Sequence, residues 1–269
     1  MASAFQAGVF QSSDGFASSP SIVVRREDRD GRLMLSKSPD RIAAMFNAIA
    51  GRYDLLNHLL SAGIDRRWRA RAVRALQLRG GERVLDVCTG TADLAIATVR
   101  AQPGAAHVIG VDFAGAMLSV AREKLARERR RDRVALVRGD ATRLPVATAS
   151  VDAVTIAFGI RNVDRLDQAC AEMRRVLKVG GRLAVLEFAV PALPVWRECY
   201  GWYVRHLVPR IGRVVSRDDG AYGYLPASID AFATPDELVK ILRQAGFVDV
   251  STVRLTLGSV CLYVGRRGP

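Results

Sequence analysis

Three histidines, at positions 58, 107 and 206, are too few and too scattered to frame a metal site, and no metal is expected. The four cysteines (88, 170, 199, 261) show no paired spacing, as in an intracellular protein with reduced thiols. Cys88 reads as small-residue packing rather than as a nucleophile. No apolar run is long enough to span a membrane. A Gly-Lys-Ser/Thr phosphate loop is missing, and so is the three-glycine turn that seats a dinucleotide pyrophosphate. Acidic side chains are also short in supply: 27 against 40 lysines and arginines, a formal net charge of +13.

What is present is enough for one sizeable α/β core plus an elaboration, since 49% of the 269 residues are apolar. Val84-Leu85-Asp86-Val87 reads as a strand running into the turn Cys88-Thr89-Gly90-Thr91, with a small-residue helix from Ala92 to Arg100 behind it. Gly90 frees the turn in φ and lets a ligand approach the backbone. The following helix start presents free N–H groups to it. A second strand, His107 to Val111, ends in Asp112, about 20 positions past the glycine turn, where nucleotide-binding βαβ units keep a ribose-hydroxyl acceptor. A site that binds adenosine without a diphosphate points to S-adenosylmethionine.

Further strands are expected over Val134–Gly139, ending in Asp140-Ala141, over Val151–Phe158, and over Arg182–Phe188, ending near Glu187. A helix is expected over Arg165–Leu177. Val250–Leu257 and Ser259–Val264 read as a closing antiparallel pair across Gly258. Alternating strands and helices predict an α/β fold, a seven-stranded and mostly parallel sheet covered on both faces, with an antiparallel closing strand. Ligands of such sheets bind outside the C-terminal strand ends, where Gly90, Asp112, Asp140 and Phe158 all fall.

Over residues 39–267 the chain resembles the ubiquinone/menaquinone biosynthesis C-methyltransferases. The segments that carry the resemblance are Met45-Phe46-Asn47-Ala48-Ile49-Ala50-Gly51-Arg52-Tyr53-Asp54, Asn57-His58-Leu59-Leu60-Ser61, Phe158-Gly159-Ile160-Arg161-Asn162-Val163, Val185-Leu186-Glu187-Phe188 and Tyr222-Gly223-Tyr224-Leu225-Pro226-Ala227-Ser228-Ile229. It implies a Rossmann-like, class I S-adenosylmethionine-dependent methyltransferase. The acceptor would be a ring carbon of a polyprenyl quinol, either demethylmenaquinol or a methoxy-polyprenyl-benzoquinol. By similarity, Gly90, Thr91, Asp112, Asp140 and Ala141 would line the cofactor site, with Asp112 on the ribose and Asp140 on the adenine amino group. The chain departs from the family pattern at Ala92 (usually glycine), Ala157 and Ala189 (usually serine) and Tyr263 (usually histidine). These departures keep open a second reading, a methyltransferase of the same fold acting on another small acceptor. A non-catalytic methyltransferase-like scaffold is a third, against which Gly90, Asp112 and Asp140 speak.

The chemistry narrows the catalytic candidates. A sulfonium methyl is attacked in line, so the enzyme supplies proximity and a water-poor pocket. A ring carbon becomes nucleophilic when a neighbouring hydroxyl, with a pKa near 10, loses its proton. Arg161, just after the fourth strand, offers donors to the resulting oxygen anion. The bland reading of Arg161 is a salt bridge to a neighbouring acid such as Asp164. Asp54, His58 and Tyr224 are the candidate bases; Asn162 reads as a turn former, and His58 reads equally well as a helix-face residue.

Residues 1–36 are expected to be a disordered tail; with no cation before Arg25 neither a secretory signal nor an arginine-rich presequence fits, and composition leaves a plastid-type leader open. The methyltransferase domain would then run over 37–269. Ile42, Met45, Phe46, Ile49 and Tyr53 at helical spacing begin an N-terminal helical cap, about 39–75, and a helical region is inserted at about 191–232. The positive charge lacks a nucleic-acid module to go with it, and the fourth strand lacks the Asn/Asp-Pro-Pro-aromatic turn of base-modifying amino-methyltransferases, so no nucleic-acid partner is expected. Trp196 to Arg217 mixes aromatics with arginines and suits an anionic membrane surface, broken into two short helices by Pro209 and Gly212. Lys124 to Arg133 reads as a solvated helix end. A cytoplasmic protein, peripheral at the inner face of the membrane, is the expectation; the sequence leaves open whether it is a homo-oligomer.

Overall fold

The computed structural model describes residues 25–27, 33–35, 37–101, 106–211 and 220–269. Within the expected tail, β1 (Arg25–Glu27) and β2 (Leu33–Leu35) pair antiparallel, and the rest of 1–36 lies outside the described residues. Three helices follow: α1 (Pro39–Ile49), α2 (Tyr53–Leu60) and α3 (Asp65–Ala75). The sheet is built from β3 (Arg83–Val87), β4 (His107–Asp112), β5 (Val134–Arg138), β6 (Val151–Ala157), β7 (Leu177–Phe188), β8 (Phe247–Leu255) and β9 (Val260–Arg267). Between them run α4 (Asp93–Ala101), α5 (Gly115–Arg127), α6 (Leu166–Val176), α7 (Pro194–Trp202), α8 (Gly220–Asp230) and α9 (Pro235–Gln244).

The strand order is β5-β4-β3-β6-β7-β9-β8, and β9 runs antiparallel to both its neighbours while the other pairings are parallel. The expected closing pair is therefore β8 and β9. The chain adds β4 and β5 on one side of β3 and then β6 and β7 on the other, so the crevice at the C-terminal ends of β3, β4 and β6 is the topological switch point. Alternation along the strands fills two cores. Leu85, Val87, Leu183, Val185, Cys261 and Tyr263 pack under α6 and α9, and Val84, Ala184, Leu186 and Leu262 pack under α3, α4 and α5. The Gly180-Gly181 turn bulges out of β7: Leu177 pairs with Val151 and Arg182 with Ala153. A Cβ on Gly181 would stand 2.7 Å from the Lys178 carbonyl oxygen, which is why this bulge needs glycine.

A separate apolar cluster joins the N-terminal helices to the inserted ones. Ile42, Met45 and Ile49 of α1 and Leu56 of α2 pack against Val208 and against Tyr224 of α8. The helix that begins as α7 does not end at Pro209. It passes through a π-turn at Tyr203–Leu207 and stays helical over 208–211, with Gly212 outside the described residues. Proline cannot donate to the carbonyl one turn back, and the wider register just before it accommodates that loss.

Buried carboxylates set the pH dependence of this core. Burial raises Asp86 to about 6, against the hydrogen bonds from Thr89 and Thr155, and burial also raises Asp112. A carboxyl raised in the folded state binds its proton more tightly there than in the unfolded chain, so it adds stability as pH falls. Asp65 and Asp93 have the opposite sign, because Arg69 holds both below the usual range despite their burial. Their contribution is lost only below about pH 4. Acidification from pH 7.5 to 5 is expected to raise the melting temperature, and Asp86→Asn to remove most of the rise. For Asp86 the gain is bounded at about 3 kcal/mol by the shift from 3.8 to about 6. Melting curves over that range check it, and a fall would contradict the assignment.

Candidate active site

The turn after β3 is held from both sides. Asp86, buried beneath it, accepts from Thr89 Oγ1 at 2.6 Å and from Thr155 Oγ1 of β6 at 2.7 Å. Gly90 takes φ +55 with open space where a Cβ would point, and its N–H donates to Asp112 Oδ2 at 2.8 Å. Asp112 Oδ1 accepts from the Ala114 N–H, also at 2.8 Å. The carboxylate, which also receives the Phe113 N–H, keeps acceptor capacity beyond these backbone bonds. Ala92 takes φ +67, a left-handed conformation that explains the family's preference for glycine there.

Two small cavities flank this turn. One touches Gly90, Asp112, Phe113, Met117 and Asn162, the other Asp86, Thr89, Thr91 and Asp93. Tyr53, Cys88, Gly90, Ala157 and Phe158 line both, so they form one crevice over the strand ends. An open glycine backbone, a helix start and a strand-tip carboxylate with spare lone pairs fit S-adenosylmethionine. Asp140 and Ala141 stand at the exit of β5, beside Asp112, whose carbonyl accepts from the Gly139 N–H. Asp140 is exposed, with Oδ1 accepting from the Thr142 N–H, and Ala141 is buried. Neither lines the two cavities.

Thr91 lines the crevice and is also bonded away from it. Its hydroxyl donates to Asp54 Oδ1 at 2.5 Å, and Lys124 Nζ bonds Asp54 Oδ2 at 2.6 Å and also Asp93. Arg69 pairs with Asp65 and, at 3.2 Å, with Asp93, while His58 Nδ1 lies 2.8 Å from Asp65 Oδ2. This chain of charges clasps α2 and α3 onto α4 and α5. His58, Asp65 and Asp93 come together as a metal triad would, but the Arg69 guanidinium supplies the cation between the two carboxylates. Lys124 is therefore no part of a solvated helix end. Nothing local singles out Arg69, since α3 carries Arg66, Arg67, Arg71 and Arg74 besides.

A larger cavity lies between the N-terminal and inserted helices, about 1000 Å³ including its mouth, and shares Tyr53, Phe158 and Arg69 with the crevice. Its wall is mainly apolar and aromatic, with Met45, Trp68, Phe188, Tyr200, Tyr203 and Tyr224 among its residues. Arg161 is buried in that wall. Nη1 bonds Glu187 Oε1 at 2.8 Å and the Phe158 carbonyl at 2.5 Å, and Nε reaches Ser228 Oγ at 3.3 Å. The ion-pair partner is Glu187, not Asp164, because parallel β6 and β7 bring their tips side by side. Nη2 makes no hydrogen bond among the described residues. The guanidinium also lies 5.3 Å from the centre of the Phe188 ring. Burial works against its charge, but Glu187 and the nearby tyrosines hold its pKa above the ordinary value.

The strand-end turn before Arg161 is strained. Phe158 takes φ +56 and Cys88 φ +52, and a Cβ on Gly159 would lie 2.4 Å from Cys88 Cβ. Burial pushes the Cys88 thiol well up, which suits a packing role. Gly159→Ala is expected to cost about 3 kcal/mol or more, because neither backbone can give way. Cys88→Gly in the same chain removes the clash and a positive-φ side chain together, and should restore most of the stability. Urea unfolding of the single and double variants checks this, and additive losses would contradict it.

Tyr224 donates to Asn162 Oδ1 at 3.0 Å, and burial pushes its phenol up to about 12. Of the unusual positions, only Ala157 lines the crevice. Ala189 and Tyr263 are buried in the core under α6 and α9, away from the cavities.

The model of the ubiE/COQ5 methyltransferase family matches residues 34–267. The ubiquinone/menaquinone biosynthesis C-methyltransferase UbiE of Syntrophotalea carbinolica is 48% identical, over 83% of this chain and 92% of its own. The UbiE of Geobacter sp. strain M21 is 44% identical over 87% and 99%. The demethylmenaquinone methyltransferase of Thermus thermophilus is 45% identical over 83% and 100%. Among solved structures, the [4+2]-cyclase SpnF aligns with a TM-score of 0.62 at 16% identity, over 85% of this chain and 95% of its own, a likeness of fold. With the turn, the strand-tip carboxylate and the adjoining cavity in place, the chain belongs to the ubiE/COQ5 methyltransferase family and is an S-adenosylmethionine-dependent methyltransferase.

Proposed function

We propose that the chain methylates a ring carbon of a reduced polyprenyl quinol, demethylmenaquinol or a methoxy-polyprenyl-benzoquinol. The observation that carries this reading is the apolar cavity beside the cofactor crevice, with the Arg161 guanidinium in its wall and Nη2 uncommitted. The relatives named for this chemistry support it. When bound, S-adenosylmethionine supplies an electrophilic methyl group.

The residues of the chain do the rest. Gly90 and Asp112 hold the nucleoside end, Asp140 stands at the exposed rim beside Asp112 for the adenine, and the clasp through Thr91, Asp54 and Lys124 closes the N-terminal helices over it. Tyr53 and Phe158, common to crevice and cavity, set the passage through which the ring carbon meets the methyl group. Loss of the hydroxyl proton raises electron density on the carbon beside it, and Arg161 Nη2 donates to the anionic oxygen so formed. After methyl transfer the ring carbon loses its own proton as the oxygen regains one, so that one proton in all leaves to solvent. Arg161 keeps its own proton throughout. Of the three candidate bases, Asp54 is held by Thr91 and Lys124, and the Tyr224 proton is both bonded and hard to remove. His58 is oriented by Asp65, which with Ser61 forms part of the cavity wall, but His58 itself lines neither the cavity nor the crevice. None of the three presents a free base to the ring.

A polyprenyl tail exceeds this cavity and must leave by its mouth. Leu55 and Leu59 of α2 and Val195, Trp202 and Leu207 of the inserted helix are exposed, and the Tyr203 hydroxyl ties the two segments through the Leu60 carbonyl at 2.5 Å. Exposed Arg197, Arg205 and Arg210 stand among them. Among the described residues no helix is long and apolar enough to cross a membrane. This surface suits peripheral docking on an anionic bilayer. Binding to anionic liposomes is expected to weaken several-fold from 50 to 300 mM salt, and Trp202→Ala to weaken it further. Sedimentation with vesicles checks it, and equal binding to neutral vesicles would contradict it.

The functional reading is tested by offering the same lipid acceptor reduced and oxidised, with methyl-labelled cofactor. Label is expected in the reduced acceptor only, since the quinone has no hydroxyl to deprotonate. Label in neither form, with cofactor binding intact, would overturn the reading.

A further inference from the structure

Four tyrosines line the large cavity, and their hydroxyls are not equivalent. Tyr203 donates to the Leu60 carbonyl, Tyr224 to Asn162, and Tyr53 is hydrogen-bonded to Asn57. The remaining polar side chains of the wall are engaged too: Ser61 and Arg69 on Asp65, Trp68 on Thr256, and Ser259 on the Thr256 carbonyl. Arg161 Nη2 and the hydroxyl of Tyr200 make no hydrogen bond among the described residues.

Tyr200 sits on α7 just before the π-turn, and it is near enough to Arg161 and Glu187 for both charges to act on it. Burial raises its phenol, so the group stays protonated at neutral pH, one O–H donor with two lone pairs. A quinol ring carries two oxygens on opposite edges. The site offers two uncommitted groups of different kinds: a permanent cation, suited to an oxygen that becomes anionic, and a neutral hydroxyl, suited to one that does not. In a largely apolar cavity, a second ring hydroxyl without a partner would be costly to bury.

Resting on the quinol reading above, we propose that Tyr200 is a substrate-positioning and specificity-determining residue: its hydroxyl holds the quinol oxygen para to the one that Arg161 stabilises. It thereby selects an acceptor with two ring oxygens and fixes which ring carbon faces the passage between Tyr53 and Phe158. No proton is transferred to or from it.

The test compares the wild-type chain with Tyr200→Phe, on the reduced quinol and on a prenylated analogue lacking the para hydroxyl. The phenylalanine variant keeps the ring and its packing, and its melting temperature verifies folding. On the quinol it is expected to lose about tenfold in kcat/KM, chiefly through KM, with cofactor affinity unchanged. On the analogue the two proteins should match. Equal losses on both acceptors, or no loss on either, would overturn the proposal while leaving the function intact. A wild-type chain that binds cofactor and methylates neither acceptor would overturn the functional reading, and this inference with it.

Discussion

Arg161→Ala is expected to cut turnover by about 10²–10³-fold, the scale of losing one preorganised donor to a developing oxyanion. Cofactor affinity should stay within about threefold, because Arg161 stands in the wall of the larger cavity and outside the crevice. The same change also threatens the fold. It strands Glu187, which is fully buried and pairs with Arg161 at 2.8 Å, and breaking such a pair costs about 3–5 kcal/mol. The informative protein is therefore Arg161→Ala combined with Glu187→Gln. Stability should largely return in the double variant and turnover should not. Recovery of turnover along with stability would reduce Arg161 to a structural ion pair.

Asp112→Ala is expected to weaken S-adenosylmethionine binding by about 100-fold, equivalent to about 2.7 kcal/mol, from the loss of charge-assisted bonds to the ribose. The variant also leaves the Gly90 and Ala114 N–H groups without their acceptor, so the turn loosens together with the ligand site. Asp112→Asn keeps the volume but sets an amide NH₂ against one of those N–H groups, and should fall between the two. Titration calorimetry measures the effect. A lowered melting temperature with unchanged cofactor affinity would make Asp112 a holder of the turn and nothing more.

These two residues show why parts of the site were legible in the sequence. Strand, glycine turn and strand-tip acid are local patterns, and the switch-point geometry of a parallel sheet places their ends together whatever lies between. Arg161 could be located by its strand, but its partner could not: Glu187 lies 26 positions on, and only the β6–β7 pairing makes it a neighbour, whereas Asp164 is close in sequence alone. Arg69 and Lys124 were hidden for a different reason. Each is one cation among many on a basic helix, and burial against Asp93 is a property of the packed molecule. Pro209 misled because a π-turn absorbs it. Tyr263 occupies a histidine's place in the family pattern, yet it faces a core and not the cavity, so that departure bears on packing more than on chemistry.

The most direct measurement is methyl transfer from labelled S-adenosylmethionine to reduced demethylmenaquinol and to a reduced methoxy-polyprenyl-benzoquinol, each in liposomes with the full chain. Label is expected on a ring carbon of at least one lipid product, and the ratio of the two names the preferred ring. Cofactor binding without label in either would contradict it, and would point to a different acceptor for the cavity between the helices.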